Sequence, residues 1–190
     1  GSTGRAKGVS GTQLAITNRI LWGTTTLNYE VDEICYARST IAFIDGTTEL
    51  LAPLTLGRCV FLLSNDNRSN LSYLIPEFKK NKNYRINLVP SFVEILLSEI
   101  SENNISVSGR WIISGEYLSD TLIQKCLKVI PDCSLNNFYG MTEAAGDSTA
   151  FKYIMPINTI GTPISNTQIY VLDNSFNPVP IGSIGELYIR

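Results

Sequence analysis

The 190-residue sequence contains no histidine. That absence removes the commonest general base, the commonest zinc ligand and every Ser-His or Cys-His nucleophile pair together, so any chemistry must rest mainly on positioning and charge. Basic residues are also scarce. With 15 Lys and Arg against 17 Asp and Glu the net charge is -2, which gives no basic face for a phosphate backbone and makes nucleic acid an unexpected partner. Long apolar runs are missing as well. None approaches the roughly twenty residues that a bilayer-crossing helix needs, and no charged-then-apolar leader opens the chain, so the expectation is a cytoplasmic protein with no membrane partner. The four cysteines, Cys35, Cys59, Cys126 and Cys133, show no C-x-x-C spacing and read as reduced thiols in largely apolar surroundings.

What is present is the composition of an ordinary globular protein, 44% hydrophobic and 17% charged with 8 prolines and 14 glycines, on a chain long enough for one substantial core. It begins inside a glycine-rich motif, Gly1 to Gly8, and stops within Gly185 to Arg190, which reads as the middle of a strand. Both ends suggest a piece of something larger.

Helical stripes and strand-like runs alternate along most of the chain. Gly11 to Trp22 is read as a helix. Ile41 to Gly46 runs apolar into a break, and Glu49 to Leu54 is a short helix beyond it. Arg58 to Leu63 is a strand, Ser69 to Phe78 a helix and Arg85 to Val89 a strand. Ser91-x-x-Glu94 has the form of a capping box opening a helix. Gly109 to Ser114 is then a strand, Ser119 to Ile130 a helix and Ser134 to Phe138 a strand. Alternation of this kind implies crossover units and a mostly parallel sheet covered by helices, with ligands beyond the carboxyl ends of the strands. Gly115-Glu116 and Tyr139 to Glu143 each follow a strand, so both should open into one crevice. From Ile160 onward, short strands at Gln168 to Asp173 and Gly185 to Ile189 separated by Pro and Gly indicate a small β portion. The expected organisation is an α/β core over 1–158 and the start of a β subdomain over 159–190.

Two stretches carry candidate chemistry. Gly1 to Gly8 combines small, hydroxylated and glycine residues with Lys7, as in a loop that wraps phosphates, although a plain surface turn fits its composition equally and it is not a Walker A loop. In Asn136 to Asp147, Thr142 offers a hydroxyl to a phosphate, Glu143 a carboxylate to Mg²⁺ and Tyr139 a flat face to a purine; the alternative is a solvated loop after a strand.

Taken in order, Gly1 to Val9, Gly115-Glu116, Asn137 to Glu143, Ile160 to Pro163 and Gly185 to Leu187 resemble the motifs of adenylate-forming enzymes, above all the adenylation domains of nonribosomal peptide synthetases. The resemblance spans the whole chain. It implies the large N-terminal portion of that fold, an α/β structure with a barrel-like β segment, and a reaction in which a carboxylate attacks ATP to give an acyl-adenylate and pyrophosphate. The acyl group then passes to the phosphopantetheine thiol of a carrier domain, with condensation domains as further partners in the same synthetase. By likeness Ser2, Thr3, Gly4 and Lys7 would hold the β- and γ-phosphates. Gly115, Glu116, Asn137, Phe138, Tyr139 and Gly140 would surround the adenine, Thr142 would touch the α-phosphate and Glu143 would hold Mg²⁺, so that Thr142, Glu143 and Lys7 carry the chemistry. Relatives add a lysine from a small C-terminal lid domain, which is absent here, so the isolated piece is expected to be inactive. The missing histidine agrees with such a reaction, because a carboxylate is already a nucleophile and needs no general base.

Amino-acid-activating relatives usually place an aspartate against the substrate's α-ammonium at the position occupied here by Ile44, and Asp45 falls one place later. The pocket then reads Ile44, Asp45, Thr48, Asn87, Ile112, Ser114, Phe138, Gly146 and Asp147. This set looks like those of domains activating β-alanine, with Asp45 or Asp147 as counter-charge to a displaced amine; Asp45 is equally placed to be a helix cap. The other readings are an acyl- or aryl-CoA ligase of the same superfamily and a nucleotide-binding fragment without turnover.

Overall fold

The computed structural model describes residues 8–153 and 158–190. Seven strands form the main sheet in the order β2-β1-β3-β4-β5-β6-β7. The first five, β1 (Ile34–Ala37), β2 (Val60–Leu62), β3 (Tyr84–Leu88), β4 (Gly109–Ile113) and β5 (Cys133–Met141), run parallel. β6 (Gly146–Lys152) and β7 (Thr162–Pro163) close one edge antiparallel. The parallel strands are joined by helices α2 (Ile44–Thr55), α3 (Leu71–Lys80), α4 (Pro90–Glu102) and α5 (Asp120–Val129), while α1 (Gln13–Thr26) precedes the sheet. β8 (Ile169–Leu172) and β9 (Glu186–Ile189) make a separate two-stranded antiparallel sheet.

The sheet has two unlike faces. Alternate residues Tyr84, Ile86, Leu88, Trp111, Ile113 and Leu135 join α3, α4 and α5 in the main core, where Leu74, Phe78, Val93, Leu96, Leu97 and Ile123 are fully buried. Removing each such side chain from water contributes about 1.5–3 kcal/mol before entropy is counted, and this face holds the sheet together. On the opposite face, toward α1 and α2, Arg85, Arg110, Asn136 and Ser114 alternate with a smaller apolar cluster of Trp22, Leu27, Ile112, Phe138 and Ile164. Parallel strands are usually apolar on both faces. Here the second face carries charge, balanced where Glu33 Oε2 accepts from Arg85 Nη2 at 2.6 Å, because it leads into the site.

Local sequence sets the helix ends. Thr12, Asn70 and Ser119 accept backbone N–H bonds as N-caps of α1, α3 and α5, each satisfying one of the orphan donors of a first turn. The expected Ser91-x-x-Glu94 box is corrected: α4 starts at Pro90, Val89 is its N-cap without a side-chain bond, and Ser91 is held instead by Glu116. The expected break at Gly46 is also corrected. α2 begins at Ile44 and runs through Gly46, whose missing Cβ leaves room for the Thr40 carbonyl, 2.3 Å from where that atom would stand. β1 and β6 were not legible as strands. β6 opens with the buried polar run Gly146-Asp147-Ser148-Thr149, which has no apolar alternation to read.

Strand order reverses between β1 and β3, since β1 leads outward to β2 and the chain then returns past it to β3 and β4. A crevice at the carboxyl ends of strands flanking such a switch point is where open α/β sheets take ligands.

Candidate functional site

A cleft of about 500 Å³ opens at that switch point. It is lined by Arg38 to Thr40 beyond β1, Val89 beyond β3, Ser114 to Glu116 beyond β4 and Gly140 to Thr142 at the end of β5. Ile44 and Asp45 from the first turn of α2, and Gly146 and Asp147 from the start of β6, complete it. The expectation that the segments after β4 and β5 open into one crevice therefore holds for Gly115, Glu116, Gly140 and Thr142. Composition and motifs gave no sign of Arg38, Arg68, Ser39 and Ser69 in the wall, because they come from loops whose meeting is decided only by the sheet order.

Backbone geometry shapes the β5–β6 turn. Thr142–Ala144 is a short 3-10 turn that ends on Ala145 at φ 59, followed by Gly146 at φ 96. The strands then cross so closely that a Cβ on Gly140 would stand 1.8 Å from the Gly146 carbonyl oxygen. A Cβ on Gly146 would in turn lie 2.9 Å from Ile44 Cγ2. Both glycines are thus required by close approach, Gly140 to the β6 backbone and Gly146 to the Ile44 side chain.

The predicted adenine and phosphate residues divide. Ser2, Thr3, Gly4 and Lys7 lie outside the described residues. Glu116 is exposed and its carboxylate accepts from Ser91 N and Ser91 Oγ, both at 3.0 Å, tying the loop after β4 to the start of α4. Buried Asn137 donates its amide N–H to the Thr159 carbonyl at 2.9 Å, and half-buried Tyr139 follows on the same face of β5. Thr142 lines the cleft, whereas Glu143 is exposed beside an adjoining cavity near the start of α1. Phe138 is a correction: successive side chains of a strand point to opposite faces, and its ring packs edge-on to Trp22 with centroids 5.5 Å apart, buried in the α1-facing cluster and outside the cleft.

The predicted acid-pocket residues divide as well. Ile44, Asp45, Ser114, Gly146 and Asp147 line the cleft, while Thr48, Asn87 and Ile112 line a small void of about 20 Å³ behind it together with Arg19. Asp45 Oδ2 accepts from Ser114 Oγ at 3.1 Å. Burial, and next the negative charge of Asp147, push the Asp45 carboxyl up to about 6, against the lowering effects of the Ser114 hydrogen bond and Arg19. Asp147 is in a different state. It is buried and paired with Arg19, whose Nε and Nη2 reach Oδ2 at 2.7 and 2.5 Å. Nearby, Glu49 accepts from Arg38 N, Ser39 N and Ser39 Oγ at 2.6, 2.7 and 2.6 Å, which fixes the cleft-lining loop after β1.

Among the described residues no group of three or more Cys, Asp and Glu side chains converges as a metal site, and no helix is long and apolar enough to cross a membrane. All four cysteines are free thiols.

A parallel sheet with an antiparallel edge, a cleft at its switch point and a glycine-framed turn carrying Thr142 define the adenylate-forming fold. The sequence profile of the AMP-binding enzyme family matches residues 1–190, and the chain belongs to that family as part of an adenylation domain of the nonribosomal peptide synthetase kind. It is 30% identical to indigoidine synthase of Dickeya dadantii over 100% of this chain and 13% of that protein. It is 31% identical to the beta-alanyl-bioamine nonribosomal peptide synthetase ebony of Drosophila melanogaster over 99% of this chain and 23% of that protein. Among solved structures, a four-domain nonribosomal peptide synthetase bound to AMP and glycine superposes with a TM-score of 0.85 at 28% identity, covering 98% of this chain and 14% of that one. O-succinylbenzoate coenzyme A synthetase of Bacillus subtilis, in complex with AMP, shares the fold with a TM-score of 0.81 at 18% identity over 100% of this chain and 39% of that one. The chain spans less than a quarter of the length of these two curated relatives.

Proposed function

We propose that this chain is the ATP- and acid-binding portion of an adenylation domain that activates β-alanine or a closely similar β-amino acid. The observation that carries the reading is Asp45: a half-buried carboxylate facing the cleft, steadied by Ser114, while its neighbour Asp147 is ion-paired with Arg19. A carboxylate so placed requires a cation. With Ile44 at the position where relatives carry the aspartate for an α-ammonium, the charge stands one residue further along α2, which suits an amine displaced by one methylene. The name of the Drosophila relative, a beta-alanyl-bioamine synthetase, supports the same substrate class.

The substrate carboxylate attacks the α-phosphorus of ATP, the new bond being acyl oxygen to phosphorus, and pyrophosphate leaves with the electrons of the bond that breaks. No proton has to be moved, in keeping with a chain free of histidine. Alignment and charge compensation supply the rate. Gly115, Glu116 and Gly140 frame the adenine side, with Asn137 and Tyr139 supporting them from β5. The Thr142 hydroxyl donates to the α-phosphate, and Ser2, Thr3, Gly4 and Lys7 hold the departing phosphates. Glu143 is exposed with no hydrogen-bond partner among the described residues, which fits a Mg²⁺ ligand, because Mg²⁺ takes one or two carboxylates plus phosphate oxygens and waters. That ion would neutralise phosphate charge when bound. In the second half-reaction the phosphopantetheine thiolate of a carrier domain in the same synthetase attacks the acyl carbon, and AMP departs with the acyl–oxygen bond electrons. A condensation domain then consumes the thioester.

The test is ATP–pyrophosphate exchange by the intact parent protein against a panel of amino acids and acids lacking an amine. Exchange led by β-alanine is expected. Exchange led by acids without an amine would replace this reading with a CoA-ligase one, and ATP affinity without exchange would leave a nucleotide-binding module.

A further inference from the structure

Arg19 lies on α1, outside the residues that sequence motifs assign to the site, yet it is only 5% exposed. Its guanidinium carbon stands 5.0 Å from the Trp22 ring centroid and 5.3 Å from that of Phe138. Room for it is made on its own helix: a Cβ on Gly23 would meet Arg19 Nη1 at 2.7 Å. Glycine weakens a helix interior, so its presence there follows from the guanidinium's position. Arg19 Nε donates to Asp147 Oδ2, and Nη2 forms an ion pair with the same oxygen. Arg19 borders the small inner void and Asp147 borders the cleft, and both also border the adjoining cavity near the start of α1.

We propose that Arg19 is a positioning residue for substrate choice, which withholds Asp147 from the substrate ammonium and leaves Asp45 as the one carboxylate able to receive it. This rests on the β-amino acid reading given above. Of the two cleft aspartates, Asp147 is paired with the Arg19 guanidinium, and Asp45 has no cationic partner of its own among the described residues. To use Asp147 instead, a substrate would have to displace a guanidinium that is stacked on two rings and forked onto the same oxygen, interactions that a compact ammonium does not reproduce. An ammonium drawn to Asp147, which stands on β6 and not on α2, would sit elsewhere in the cleft and suit an ω-amino acid of a different chain length.

The experiment compares kcat/KM in ATP–pyrophosphate exchange for β-alanine and 4-aminobutyrate, using the intact parent protein as wild type, Arg19→Met and Arg19→Met/Asp147→Leu. Methionine keeps much of the volume and removes the charge. The single variant is expected to shift the ratio toward 4-aminobutyrate by about tenfold or more, the scale of discrimination by one methylene, with the KM for ATP unchanged. The double variant is expected to return toward the wild-type ratio, because Asp45 is again the one unpaired aspartate of the cleft. An unchanged ratio in the single variant, or an equal shift in both, overturns the proposal. Should the single variant fail to fold with Asp147 unpaired, the double variant and Arg19→Lys still decide, since both must keep the wild-type preference and its loss in either contradicts the assignment. A wild type that does not prefer β-alanine defeats the substrate reading itself, before any variant is compared.

Discussion

Ser114 donates its hydroxyl hydrogen to Asp45 Oδ2 across 3.1 Å, joining the end of β4 to the first turn of α2 at the inner wall of the cleft. The bond fixes the Asp45 carboxylate at the cleft wall, while the other cleft aspartate, Asp147, is bound to Arg19.

Acid should weaken amino-acid binding before it harms the fold. Asp45 has its carboxyl pushed up to about 6 by burial and by Asp147, and only its ionised form attracts an ammonium, which stays protonated throughout this range. The sign follows: affinity is level above that pH and falls by about tenfold for each pH unit below it. The KM for β-alanine measured from pH 8 to pH 5 should rise on the acid side while the KM for ATP does not share the inflection. A flat profile would show that Asp45 does not face the amine.

Glu143→Gln should leave the fold intact, because the side chain is exposed, and depress the exchange rate by about a hundredfold, the cost typical of losing one preorganised electrostatic contact in a transition state. Half-saturation should move to higher Mg²⁺ concentration. An unchanged Mg²⁺ titration would remove Glu143 from the metal site.

Ser91→Ala removes one of the two bonds that hold the Glu116 carboxylate, because alanine loses the hydroxyl and the loop is then tied by the backbone N–H alone. The expected result is a loss of about 1 kcal/mol in urea unfolding, together with a several-fold higher KM for ATP and an unaltered β-alanine to L-alanine ratio. A change confined to the amino-acid ratio would place Glu116 on the wrong reactant.

Gly146→Ala meets two obstacles, a backbone at φ 96 and a Cβ only 2.9 Å from Ile44 Cγ2. The first costs roughly 1–3 kcal/mol by itself. Adding Ile44→Ala should recover the part due to the contact and leave the part due to the backbone, which urea denaturation of both variants would separate. Full recovery in the double variant would show that the backbone conformation carries no cost there.

How far the sequence reaches can be judged from these same residues. Helices such as α5 announce themselves through Ser119 at the N-cap and Leu122, Ile123 and Cys126 at helical spacing, and the parallel sheet follows from their alternation with strands. The motifs led to the cleft through Gly115, Glu116, Gly140 and Thr142, and to Asp45 through its offset from Ile44. The reading fails where a long-range partner decides. Asp147 looked free because Arg19, its partner, lies 128 residues earlier on a helix with no motif of its own. Phe138 stands two residues before cleft-lining Gly140, but strand alternation turns its ring toward Trp22. β6 has no apolar alternation to read because its buried residues are polar, among them Asp147, paired with Arg19, and Thr149, whose hydroxyl donates to the Ile160 carbonyl at 2.5 Å.

The most direct test of the account is the kcat/KM ratio for β-alanine over L-alanine in ATP–pyrophosphate exchange, measured for the intact protein and for Asp45→Asn. A charged hydrogen bond is worth about 1.5–3 kcal/mol, so the wild type should favour β-alanine by at least about tenfold and the variant should lose most of that preference while keeping its affinity for ATP. A wild type that treats the two amino acids alike, or a variant with the preference undiminished, would contradict the assignment of Asp45 as the residue that receives the substrate amine.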